Sequence, residues 1–107
     1  MLLMSLTTSA QDASSAPARD AAYYLEFAHV ADGKCQILSA GGKLVVLRNR
    51  HPTRAIRYRL FRIFGGVIQS RVDGLLSPAG ETQKLGCDTV DGRPQSWTVE
   101  RAALMED

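Results

Sequence analysis

Six arginines, Arg48, Arg50, Arg54, Arg57, Arg59 and Arg62, crowd a short central stretch that holds no Asp or Glu. Each guanidinium is a planar, permanently charged fork that matches carboxylate and phosphate geometry. A surface selected only for solubility mixes lysine and glutamate into such a run. Like charges packed on neighbouring strands repel unless an anion answers them. That anion is either one of the chain's own acids, with Glu81, Asp88 and Glu100 as candidates, or an external partner. Three external partners fit: a protein surface, an anionic envelope polymer, and nucleic acid read with Tyr58, Phe61 and Phe64. Tyr58 alternates onto the presumed core face, which counts mildly against nucleic acid.

The other chemistry-bearing residues are sparse. The chain lacks G-x-S-x-G, a Walker loop and any G-x-G, so nucleophile-elbow and phosphate-cradle chemistry have no motif to rest on. His29 has Glu26 nearby in sequence but no nucleophile at a recognisable spacing. Cys35, Cys87, His29 and His51 would form a soft two-sulfur, two-nitrogen metal set, yet they are scattered along the chain. Asp88-Thr89-Val90-Asp91-Gly92 has some look of a calcium loop but lacks its alternating oxygen ligands and closing Glu. A hairpin turn explains it fully. The expectation is a non-enzymatic protein with no cofactor and no metal site.

Two cysteines at this spacing match neither a zinc motif nor a C-x-x-C redox pair. In an exported chain an intramolecular Cys35–Cys87 bridge is the simplest outcome. Closing that loop is worth roughly 4 kcal/mol in the chain-entropy model. Buried free thiols are the alternative. Residues 1–20 read either as a flexible N-terminus or as a truncated signal peptide. Ala16-Pro17-Ala18 offers the small residues of a cleavage site, while the positive start and long apolar run are missing. With the cysteines, this start leads to an expected periplasmic or secreted location.

The chain has 107 residues and a formal net charge of +2, which hides a strong polarity. Residues 33–72 carry nine bases and no acid, and both flanking segments are net acidic. Ordinary apolar and charged fractions exclude a disordered tail, and no apolar run reaches transmembrane length. A single domain over residues 21–107 is the natural division.

Turn punctuation organises that domain. Asp32-Gly33, Asp73-Gly74 and Asp91-Gly92 read as turns, as do Gly41-Gly42, His51-Pro52, Gly65-Gly66 and Pro78-Ala79-Gly80. Between them lie strand-length segments near 22–30, 34–39, 43–50, 55–64, 66–72, 81–87 and 95–104. In the fourth, Ile56, Tyr58 and Leu60 face one side while Arg57 and Arg59 face the other. Phe61 and Arg62 break that phase, as a bulge or strand end would. Trp97 and Val99 alternate with Ser96, Thr98 and Glu100, which marks Trp97 as a core residue. The pattern predicts an all-β, seven-stranded immunoglobulin-like β-sandwich with a flexible N-terminal segment.

Asn49 closing an apolar strand, followed by Pro52 and the AIRYRLF run, resembles the first hairpin of immunoglobulin-like domains in pilus chaperones and major sperm proteins. The segment from Leu76 to Glu81, with Leu85-Gly86-Cys87, is similar to small exported bacterial proteins of unknown role. The resemblance spans residues 35–103 and implies an immunoglobulin-like domain. Pilus chaperones carry two domains, so no functional residue is carried over. Together these readings anticipate a small exported binding or structural module that presents an arginine-rich strand face, or an edge strand, to its partner.

Overall fold

The structure, a computed structural model, describes residues 20–38 and 41–106. The reading of residues 1–20 as a leader or flexible start therefore lies almost wholly outside the described residues. Two antiparallel sheets pack face to face. The smaller holds β1 (Leu25–Val30), β2 (Leu44–Asn49) and β5 (Thr82–Cys87) in the order β1-β2-β5. The larger holds β3 (Ile56–Phe64), β4 (Val67–Leu76), β6 (Thr89–Val90) and β7 (Arg93–Leu104) in the order β4-β3-β7-β6. The fold is thus an all-β, sandwich-like one.

Period-two alternation builds the core. Val45 and Leu47 from β2 meet Tyr58 and Leu60 from β3, Leu76 from β4 and Trp97 from β7. Leu25, Phe27, Val72, Leu85 and Val99 close around them. Trp97 is buried, as its alternation with the polar residues of β7 requires. Cys35 and Cys87 stand at disulfide distance, with Cα atoms 5.4 Å apart, and tie the segment before β2 to the end of β5.

Several sequence expectations are corrected. The strand expected near 34–39 is not formed over its described part: Gly33–Leu38 is a short helix, α1. Asp32 is its N-cap, with Oδ1 accepting the Cys35 N–H at 3.0 Å. An Asp-Gly pair that reads as a turn is here a cap and first helical residue. Asp73-Gly74 is no turn either, for it lies inside β4, which runs on to Leu76. Gly74 stands opposite Tyr58, whose phenol occupies the space a Cβ would need. Asp91-Gly92 is the turn expected, with positive φ at both residues. Gly65 and Gly66, at φ 58° and 85°, make the two-residue loop that joins β3 to β4.

The arginine segment is not a hairpin. β2 and β3 belong to different sheets, so residues 50–55 cross from one layer to the other. The phase of β3 does not break at Phe61 and Arg62. The two register shifts place the extra residues, Gln69 and Glu100, on the neighbouring strands β4 and β7. Arg62 therefore stays on the same side as Leu60, level with buried Trp97.

Candidate functional site: an arginine face on the larger sheet

The six arginines separate into four places. Arg48 and Arg50 flank the end of β2 and both approach Glu26 of β1, at 4.0 and 3.7 Å. Arg54 lies in the crossover, where its Nε donates to the Met105 carbonyl at 2.9 Å and its terminal nitrogen is 3.7 Å from Glu106. Arg62 donates from Nε to Gln95 Oε1 at 2.8 Å and lies 5.6 Å from the Phe64 ring centre. Gln95 in turn donates to the Cys87 carbonyl, so Arg62 belongs to a bonded network at one end of the sandwich. Glu81, Asp88 and Glu100, the acids suspected of answering the arginines, bond to none of the six, although the Glu100 charge reaches Arg59. Glu81 accepts the Ser77 N–H, Asp88 accepts the Lys43 N–H and stands 4.0 Å from His29, and Glu100 pairs with Arg71.

Arg57 and Arg59 are left on the outer face of the larger sheet. Cross-strand register sets them in two rows. One row reads Leu75–Arg57–Ala103 and the next Asp73–Arg59–Arg101, across β4, β3 and β7. A third row holds Arg71 beside Phe61, with Arg71 5.0 Å from the ring centre and bonded to Glu100 at 3.0 Å. The first two rows line an open depression of about 500 Å³.

Asp73 is the carboxylate within it. Arg59 Nε donates to Asp73 Oδ1 at 2.6 Å. That hydrogen bond, aided by the charges of Arg59 and Arg101, holds the Asp73 carboxyl below the usual carboxylate range. The same bond and the Asp73 charge raise Arg59. Arg101 directly faces Arg59, and like charges in that position are destabilising unless they are shared out. Arg57 has neither an acidic nor a hydrogen-bonding partner among the described residues. Three cations and one anion leave the depression with a surplus of two positive charges. Tyr58 supplies the wall beneath, and burial pushes its phenol above the ordinary tyrosine range.

The face can hold an anion, and its composition was only half visible in the sequence. Arg57 and Arg59 follow from alternation. Arg101 and Asp73 were missed, because pairing between distant strands brings them in. The bulge at Glu100 also shifts the phase of β7 just where Arg101 is presented. The soft metal set is not available, since the sulfurs of Cys35 and Cys87 are bonded to each other. His51 acts locally, its Nδ1 accepting the N–H groups of Thr53 and Arg54. The chain matches no protein-family model, no curated protein and no solved structure.

Proposed function

We propose that this chain is a non-enzymatic binding module that captures an anionic partner on the outer face of its larger sheet. The observation that carries the reading is the surplus of guanidinium charge in the depression. Arg57, Arg59 and Arg101 surround one carboxylate, and Arg57 is unpaired among the described residues. Nucleic acid fits this face less well than a carboxylate-bearing partner. Stacking needs an open aromatic ring, whereas Phe61 lies under Arg71 and Tyr58 is buried.

We read the sandwich as immunoglobulin-like. The support is its pair of antiparallel sheets and the connection that crosses from one layer to the other between β2 and β3. Periplasmic or secreted placement is part of the same proposal. Its support is the cysteine pair at disulfide distance, which suits an oxidising compartment.

Titrating the protein with fluorescently labelled polyglutamate tests the reading. The wild type binds, and Arg57→Glu with Arg101→Glu abolishes binding while the stability measured in urea stays within about 0.5 kcal/mol, as exposed positions allow. Retained binding in a destabilised double variant would instead assign these arginines to the protein's own architecture.

A further inference from the structure

We infer that the anionic partner is an acidic peptide segment that adds as a strand to the free edge of β4. The inference rests on the arginine-face reading and names the partner of that face. β4 closes one side of its sheet. It pairs with β3, and its other edge joins no ladder among the described residues. Every second residue of such an edge points an unsatisfied N–H and C=O outward, a template for another extended chain. Natural edges are usually blunted by proline, lysine or a bulge. β4 has its bulge at Gln69, next to the hairpin tip, and this leaves Ser70–Leu76 a regular run without proline or lysine, its only charges being Arg71 and Asp73 on the outer face. Leu75, on the same edge, is 54% exposed.

Register says what an added strand must carry. Its outward side chains continue the three rows of the sheet face. Next to Leu75 they point toward Arg57, whose guanidinium is unpaired among the described residues. An added strand lies two spacings of about 4.8 Å from β3, a span that glutamate and arginine side chains bridge when extended toward each other. In the middle row the added residue meets Asp73, so a carboxylate there is repelled. In the third row it meets Arg71, half-exposed on β4 itself, whose terminal guanidinium nitrogens keep donors to spare beyond the Nε bond to Glu100. The face therefore reads acid, uncharged, acid at alternate positions. A polyanion attracted by charge alone needs no such pattern.

The test uses two peptides of one composition with isotope-labelled protein in solution. Thr-Glu-Val-Thr-Val-Glu-Thr sets its carboxylates two rows apart, over Leu75 and Arg71. Its isomer Thr-Val-Glu-Thr-Glu-Val-Thr sets them one row apart, so that no register places one over Leu75 and the other over Arg71. Expected are slowed hydrogen exchange at alternate amides of Ser70–Leu76 with the first peptide, about tenfold weaker binding of the isomer, and about tenfold weaker binding by Arg57→Glu. Equal binding of both peptides with no β4 protection would overturn strand addition and leave the anion-binding face standing. No response to either peptide or to polyglutamate would remove both. Displacement of the peptide by a tighter-binding single-stranded oligonucleotide would overturn it too. So would β4 protection in the peptide-free protein together with a doubled solution mass, since the occupant would then be a second copy.

Discussion

Replacing Asn49 by Ala is expected to cost about 3–4 kcal/mol, more than any exposed substitution on the arginine face. Asn49 is completely buried at the end of β2. The two hydrogens of its Nδ2 group are shared among the carbonyls of Arg54, Leu76 and Ser77 at 3.0, 3.0 and 3.1 Å. Its Oδ1 accepts the His51 N–H at 2.8 Å. The backbone joins in: Asn49 N–H reaches the Glu81 carbonyl, and the Gly80 N–H reaches the Asn49 carbonyl. One amide thus ties the crossover between the sheets to the turn after β4, and it does so beside the Ile56–Leu76 pair that begins the arginine rows.

Alanine leaves one N–H and three carbonyls short of a partner. At about 1 kcal/mol net for each hydrogen bond, with some groups reaching water instead, the loss is about 3–4 kcal/mol. A domain of this size holds roughly 5–15 kcal/mol in all, so its Tm should fall by roughly 12–30 °C. Asn49→Asp is the sharper perturbation because it preserves shape. The aspartate still accepts from His51, but its second oxygen is set against three carbonyls, so at neutral pH it should be at least as damaging as alanine. Urea unfolding followed by Trp97 fluorescence, at pH 7 and again near pH 4, measures both variants. A loss under about 1 kcal/mol for Asn49→Asp would refute the reasoning, since no shape argument separates it from the wild type.

Reduction of the Cys35–Cys87 pair, which closes a separation of 52 residues, should cost roughly 4 kcal/mol in the chain-entropy model; calorimetry with and without reductant measures it, and an unchanged Tm would contradict it. Gly74→Ala drives a Cβ into the Tyr58 phenol and should destabilise by about 1–3 kcal/mol. Most of that loss should vanish in a Tyr58→Ala background, and a double-mutant cycle of urea midpoints reports whether it does. For the Arg59–Asp73 pair the folded-state pKa of the carboxyl is depressed, so its stabilisation is present above the ordinary carboxylate range near pH 4 and is lost as pH falls through the folded value. Solvent exposure keeps this effect small. Melting curves from pH 7 to pH 2 should show the gap between wild type and Asp73→Asn closing in acid, and a gap that widens would reverse the sign of the argument.

Alternation is a local property, which is why much of β3 and β7 can be read without coordinates. Side chains two apart in a strand must share a face. Ile56, Tyr58, Leu60 and Trp97 are therefore assigned to the interior, and Arg57 to the exterior, by residue type alone. Two cysteines without a metal or redox spacing point to a bridge for a similar reason, because few other roles suit them. Asp-Gly shows where local reading stops. The same dipeptide caps a helix at Asp32, sits inside a strand at Asp73 and makes a hairpin turn at Asp91. Helix α1 arises because a side-chain oxygen captures the Cys35 N–H, and Gly74 is extended because Tyr58 needs its missing Cβ. The arginine cluster divides in the same way. Its members are close in sequence, yet the crossover after Asn49 leaves Arg48 on one sheet and sends Arg57 and Arg59 to the other. Asp73 answers Arg59 from another strand, 14 positions along the chain, and a bulge at Glu100 aims Arg101 at both. Residue type and period decide which way a side chain points. Which side chains meet is decided by strand order and register, and these are set by the packing of the whole sandwich.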